Sequence, residues 1–383
     1  MKIVCISHWR IPSEKTMAPY MMRVAEAFAK EGSEVEFWIP RRRSALKGVD
    51  PFEYHLIERN FRFRYLPVID LMGVVPGGVS FLLMLASFTV AVFFLALFQN
   101  RKSIFYFFDL RDAWLVLLLP RCSFCEIHMY YKSSLDAINR WGFARMRGII
   151  AATNPLREEI QRQYRVPAEK ILHAPCAVNA ERFALDTTRG EARRALGLPQ
   201  EGRFIFYIGH LFPVKGVDVL FDAHSLLDAG EVIYFVGGTD EDLVRYRAKW
   251  EAAGAPQNIC IAGRKPHQEI PTWLRAADIL TIPNTARDPA GSIESSPSKL
   301  MEYMASGRPI IASDVPAIRD VLDDSMGYFA KPDSPEAIAA QIRAVFADQG
   351  AAEKKARAAR EFAVQNLSWG ARARSVLGFI ESR

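Results

Sequence analysis

The 383-residue sequence predicts an α/β protein of two doubly wound, parallel-sheet (Rossmann-like) domains facing each other across a cleft. Three observations carry this. Short apolar, β-branched runs alternate with segments of helical periodicity along the whole chain, the alternation restarts after a charged stretch at 186–202, and the length suffices for two cores.

Taken in order, "MKIVCIS" is a first strand and "RIPSEKTMAPY" a loop, followed by a helix from about Met21 to Lys30 that Gly32 stops, and by the strand "SEVEFWIP". After an apolar segment come the strand "SIFYFF", a helical "DAWLVLLLP", the strand "CSFCEIHM", a long helix to about Arg147, "GIIAAT", the helix "NPLREEIQRQY" and "ILHAPCAV". The second half runs "RFIFYIGH", "GVDVLFDAHSLL", "EVIYFVGG", "DEDLVRYRAKWEAAG", "ICIAG", "IPTWLRAA", "DILTIPN", a short helix, "PIIASD" and "GYFA". In such folds ligands bind beside the loops at the carboxyl ends of the strands.

Composition narrows the function classes. Half the residues are hydrophobic and 24% charged, a globular balance without low-complexity bias. The net charge of +6 permits an anionic partner, and no zinc-finger spacing or stacking-aromatic signature accompanies it, so nucleic acid is not expected. Five scattered cysteines, Cys5, Cys122, Cys125, Cys176 and Cys260, argue for a reducing compartment, and the lone C-x-x-C at 122–125 reads as structural thiols rather than a metal site. The start reads as a strand rather than a secretion signal.

The segment at 79–98 has transmembrane length and lies in a run without charge from Leu71 to Asn100. Strands before and after it look like members of one sheet, which forbids spanning. Two readings remain: a buried helix, or a helix whose outer face dips into one leaflet with Arg41–Arg43, Arg62, Arg64, Arg101 and Lys102 at headgroup level. A helix apolar all round exceeds what one sheet face covers, which favours the second. A cytoplasmic protein held peripherally at the inner face of an anionic membrane is expected.

Two stretches carry candidate chemistry. In "YIGHLFPVKGVDVL", Gly209, His210 and Lys215 form a loop between a strand and a helix, suited to a diphosphate approached by backbone and one lysine, or to an ordinary turn. In "SIESSPSKLMEYMASGRPIIASD", Glu294 and Glu302 stand eight positions apart around a helix start, with Ser296 as N-cap and Pro297 at the first helical position. The helix N-terminus offers an anion position with an acid on either side. The plainer alternative makes Glu294 a solvated loop acid and pairs Glu302 with Lys299.

These two stretches, with "FVGG" and "IAGRKPHQEIPTWLRAADILTIPN" between them, resemble in content and order the retaining GT-B glycosyltransferases, and among them glycosyltransferase family 4. "PAEKILHAPCAVNAERF" and "NLSWGARARSVLGFI" resemble that family's interdomain segment and terminal helix. The resemblance implies an acceptor-side domain over 1–185, a nucleotide-sugar-binding domain over 186–367 and a terminal helix over 368–383 that crosses back to the first domain. Glu294 then contacts the donor sugar's hydroxyls and Glu302 the ribose hydroxyls. Gly209, His210, Lys215, Ser295, Ser296 and Lys299 hold the donor. His210 stands where the family usually has arginine. His128, at the end of "CEIH", joins Lys215 and Glu294 as a catalytic candidate near the reacting sugar. Ser13, Glu14 and Lys15 replace the family's Gly-Gly loop on the acceptor side. Asp240-Glu241-Asp242 is expected to cap a helix, with no metal and no cofactor. The implied reaction moves a sugar from a UDP- or GDP-linked donor to a lipid-linked or polysaccharide (glycan) acceptor. The alternatives are a nucleotide-sugar epimerase of the same fold and a non-catalytic sugar-nucleotide-binding protein.

Overall fold

The computed structural model describes residues 1–44, 46–129, 135–183, 185–293 and 298–383. The chain divides into two compact units, one comprising Met1–Ala152, Leu156–Ala174 and Trp369–Arg383, the other Thr153–Pro155 and Pro175–Ser368.

Among the described residues the first unit has seven parallel strands: β1 (Lys2–Ile6), β2 (Glu34–Pro40), β3 (Arg62–Leu66), β4 (Ile104–Phe107), β5 (Cys122–Ile127), β6 (Gly148–Ala151) and β7 (Ile171–His173). Their spatial order is β3-β2-β1-β4-β5-β6-β7. The order reverses between β1 and β4, the position where open α/β sheets bind ligands. Both sheet faces are covered, so the central strands run apolar on both faces, as in Ile3–Ile6 of β1 and Ile104–Phe107 of β4. On one face Val4, Trp38, Phe105 and Ile127 pack against Met84, Phe88 and Val92 of the Gly77–Phe98 helix. The opposite face carries Tyr106, which meets Phe28 of the Met17–Lys30 helix edge-on at 5.2 Å.

Three local expectations are corrected. Strand β3 was not expected, because "RFRYL" alternates Arg62 and Arg64 with apolar residues; it is a sheet edge, where charge is tolerated and discourages further pairing. Arg64 donates to Glu36 on neighbouring β2 at 2.6 Å, so its charge is engaged there. The first helix begins at Met17 rather than Met21; Pro19 falls in its first turn, where backbone N–H groups have no helical partner. "DAWLVLLLP" is only a turn of helix, Leu110–Ala113, and a 3-10 turn, Val116–Leu118.

The Gly77–Phe98 helix is the crossover between β3 and β4, and β4 pairs directly with β1. It therefore lies on the sheet and does not span. One face is core; Val79, Leu82, Leu83, Val90, Phe94, Leu97 and Phe98 form an exposed stripe at helical spacing on the other, with Phe98 85% exposed. Arg121 closes its C-terminal end by donating to the carbonyls of Leu97 and Gln99 at 3.1 and 3.0 Å.

The second unit repeats the plan with β8 (Arg203–Ile208), β9 (Glu231–Val236), β10 (Ile259–Gly263), β11 (Ile279–Ile282), β12 (Ile310–Ser313) and β13 (Tyr328–Ala330), all parallel in the order β10-β9-β8-β11-β12-β13. Its order reverses between β8 and β11. The Ser298–Ser306 helix precedes β12 and stops at Gly307, as expected; the predicted caps Ser296 and Pro297 lie outside the described residues.

Candidate functional site

In the second unit the candidate donor residues gather where the strand order reverses. Gly209 and His210 follow β8, and Lys215 closes a 3-10 turn, Pro213–Lys215. The next residue, Gly216, has φ +62°, and a Cβ there would lie 1.7 Å from the Pro283 carbonyl oxygen just beyond β11. Only glycine lets the loop pass so close, and this fixes the backbone behind Lys215. Gly209 has φ +143°, and a Cβ on it would lie 2.7 Å from Lys299 Nζ. Lys299 thus reaches from the Ser298–Ser306 helix to the end of β8, where its ammonium donates to Tyr207 Oη at 2.7 Å and sits 3.9 Å from that ring's centroid. Tyr207 Oη donates in turn to the His210 carbonyl at 2.5 Å, and Tyr303 Oη accepts the Ile208 N–H at 2.8 Å. The two tyrosines lock helix and loop together.

Burial makes the cations here costly to keep charged. Burial lowers the Lys215 pKa. Burial, then repulsion from Lys215, holds Lys299 well below the ordinary lysine value, against some relief from Glu302. Burial and then Lys299 also lower His210, so its imidazole is neutral at pH 7 and acts as a hydrogen-bonding group where the resemblance leads one to expect an arginine's charge. The ring stacks on Phe212 at 4.9 Å. Buried ammonium groups close together favour an anion beside them.

Glu302 answers the pattern from the other side. Burial pushes its carboxyl up to about 7, opposed by Arg182 and Lys299. Among the described residues it forms no ion pair with Lys299, which is turned to Tyr207, so the plainer i, i+3 pairing is not formed. Between its ordinary value of 4.5 and about 7 the folded chain holds a proton that the unfolded chain has lost. That group's contribution to stability is therefore present at low pH and fades as pH rises through 7. Glu302→Gln should flatten this loss: its melting temperature should gain on wild type between pH 5 and pH 8, a span of about three units around the shifted value. A constant difference across that range would contradict the shift. Glu294, Ser295 and Ser296 lie outside the described residues.

Asp240 and Glu241 open the Asp240–Ala252 helix, whose N-cap Thr239 forms a reciprocal capping box with Asp242. The D-x-D is thus helix-capping, as expected.

In the first unit His128 directly follows β5, its imidazole 15% exposed and its Nε2 2.8 Å from the buried Glu126 carboxylate. Ser13 is buried and its hydroxyl accepts the Lys15 N–H at 3.3 Å; Glu14 is exposed, 3.8 Å from Arg10; Lys15 lies over the Trp9 ring at 5.8 Å. Two features were missed from sequence. His8, after β1, bonds through Nδ1 to the buried Asp112 at 2.8 Å where the strand order reverses. Burial works against its charge, but Asp112 outweighs it and raises the His8 pKa. The second is the Glu126 cluster. An acid inside the apolar strand "CSFCEI" was a legible signal, since a buried carboxylate needs partners.

Residues 188–362 match the family model described as Glycosyl transferases group 1. A D-inositol 3-phosphate glycosyltransferase of Xylanimonas cellulosilytica is 27% identical over 238 residues, 60% of this chain and 55% of that protein. The chain spans about half the length of the curated relatives it matches. Anabaena HepE, crystallised with UDP, shares the fold at a TM-score of 0.77 and 14% identity, covering 100% of both chains. WaaG, a glycosyltransferase involved in lipopolysaccharide biosynthesis, does so at 0.68 and 16%, covering 100% of this chain and 99% of that one. By fold and by the match over 188–362, this chain is similar to the GT-B glycosyltransferases.

Proposed function

We propose that the protein is a retaining, metal-independent glycosyltransferase that moves a sugar from a UDP- or GDP-linked donor to a lipid-linked or glycan acceptor at a membrane surface. The observation that carries the reading is the cluster of Lys215, Lys299 and His210 around Gly209, where burial lowers all three pKa values, Lys215 adds to the lowering at Lys299, and both lysines add to that at His210. A nucleoside diphosphate brings negative charge to these buried cations. HepE structures with UDP and with UDP-glucose support the uridine form of that donor class.

In the reaction the bond from the anomeric carbon to the diphosphate oxygen breaks, and its electron pair leaves on the diphosphate, stabilised by Lys215. The acceptor oxygen bonds to the same face of the sugar, and its proton passes to the departing diphosphate. Glu302 accepts the ribose hydroxyls. Glu294 and His128 are assigned to the reacting sugar, and Ser295 and Ser296 to the donor phosphates. Ser13, Glu14 and Lys15 lie on the acceptor side.

The exposed stripe on the Gly77–Phe98 helix supports membrane attachment. Its 22 residues extend about 33 Å at ~1.5 Å per residue, and both ends are basic. Exposed Arg101 and Lys102 follow the helix, while Arg42 approaches Asp70 and the Arg43 N–H bonds to it just ahead. Apolar Ile69, Met72 and Val74 extend the exposed surface before the helix. Cations at both ends suit a helix lying in the plane of an anionic leaflet on the cytoplasmic side.

Purified protein should release UDP or GDP from the donor in an acceptor-dependent way, with activity unchanged by EDTA. Release without acceptor dependence would favour epimerisation with leakage, no release at all would leave a binding protein, and loss restored by Mg²⁺ or Mn²⁺ would overturn metal independence.

A further inference from the structure

Glu126 is fully buried on β5, and four groups meet its carboxylate. They are the hydroxyls of Tyr20 and Tyr106, Arg372 Nη2 at 2.7 Å and His128 Nε2 at 2.8 Å. Burial alone would raise its pKa, but Arg372 first, then His128 and Tyr106, hold it at about 2. An ionised carboxylate has no proton to give, so each partner is a donor. His128 therefore carries its proton on Nε2, directed at Glu126. The Tyr20 ring meets the imidazole edge-on at 4.7 Å and fixes its plane from another side.

The arginine comes from far along the chain. Arg372 lies in the Trp369–Glu381 helix, is itself buried, and stands 5.6 Å over the Tyr20 ring. Glu126 and His128 are two residues apart on and just after a strand, and so share a face. The Arg372–Glu126 pair lies against one edge of the imidazole that the proposed mechanism assigns to the reacting sugar. We propose that Glu126 and Arg372 are positioning residues for glycosyl transfer: the terminal helix, through a buried arginine–carboxylate pair, sets the tautomer and orientation of His128. The inference rests on the role given to His128 above.

The test uses the full-length chain, with turnover measured against donor and acceptor and the histidine tautomers read by ¹⁵N NMR, His128 being assigned by the signal lost in His128→Gln. Wild type should show the Nε2–H form at His128. Arg372→Met should lower kcat about 100-fold, the cost of a misplaced reacting group, with donor KM unchanged. Arg372→Lys, which keeps the charge, should recover most of it. In a His128→Ala background Arg372→Met should cost nothing further. Multiplying effects in the double variant, or a kcat loss with the tautomer unchanged, would overturn the proposal. An Nδ1–H tautomer in wild type would do so alone, and that measurement stands even if Arg372→Met does not fold. Undiminished kcat in His128→Ala would instead remove His128 from the reaction while leaving the tautomer result to judge the positioning.

Discussion

Lys215→Ala is expected to lower kcat by about 10²–10³-fold, the cost of removing one preorganised group from a developing anion, while donor affinity changes only a few-fold. The asymmetry follows from where the charge appears. In the bound donor the diphosphate's negative charge is shared with the sugar ester oxygen; as the glycosidic bond breaks, another unit of charge collects on the leaving oxygen. Burial already makes the Lys215 ammonium costly, so charge growing beside it strengthens an interaction that is only partly satisfied in the ground state. The substitution should spare the fold, because the close pass of Gly216 by the Pro283 carbonyl holds the backbone of the loop. Single-turnover kinetics separate the chemical step from binding, and an unchanged turnover number would remove Lys215 from the mechanism.

The second large effect concerns the apolar stripe. Replacing Leu82, Phe94 and Phe98, 64%, 57% and 85% exposed, together by Ser should lower partitioning onto anionic vesicles by at least about 100-fold. Each large side chain contributes about 1.5–3 kcal/mol when fully buried, and ~1.4 kcal/mol is tenfold in binding, so even partial immersion of three suffices. Nucleotide binding, which the proposed function assigns to the second unit, should survive. Phe88→Ser, on the core face of the same helix, should instead cost several kcal/mol of stability, about the 3–5 of an aromatic truncation. High salt should partly mimic removal of Arg101 and Lys102, each worth about 1 kcal/mol near a charged surface. Wild-type protein left in the supernatant with anionic vesicles at low salt would defeat the membrane reading, and equal loss of melting temperature in both variants would make the stripe structural.

What could be read from the sequence divides by range. The Ser298–Ser306 helix and the strand after it were legible because a helix start, a glycine stop and an apolar run are local signals. Strand β3 was not, since a sheet edge releases Arg62 and Arg64 from the apolar pattern that marks a central strand. The loop at Gly209–Gly216, between a strand and a helix, was recognisable, but Lys299 bonding to Tyr207, 92 positions away, is a product of the fold. The same holds for His8 with Asp112, and most of all for Arg372 with Glu126, 246 positions apart. No periodicity links such pairs. Sequence shows only that one member, Glu126, sits in an apolar strand and needs a partner.

That separation bears on how the chain is made. The first unit is discontinuous: it takes most of its residues from the first 174 and completes itself with Trp369–Arg383. A nascent chain emerging from the ribosome N-terminus first can finish the second unit before the first is complete. Until Arg372 arrives, Glu126 has hydroxyls and an imidazole around it but lacks its arginine, a costly state for a buried carboxylate. The first unit gains Arg372 only with the first turn of the Trp369–Glu381 helix, so truncation after residue 368 would yield a sound second unit attached to an electrostatically incomplete first one. Synthesis of the Trp369–Glu381 helix is thus read out as a charge neutralised in the interior of the first unit.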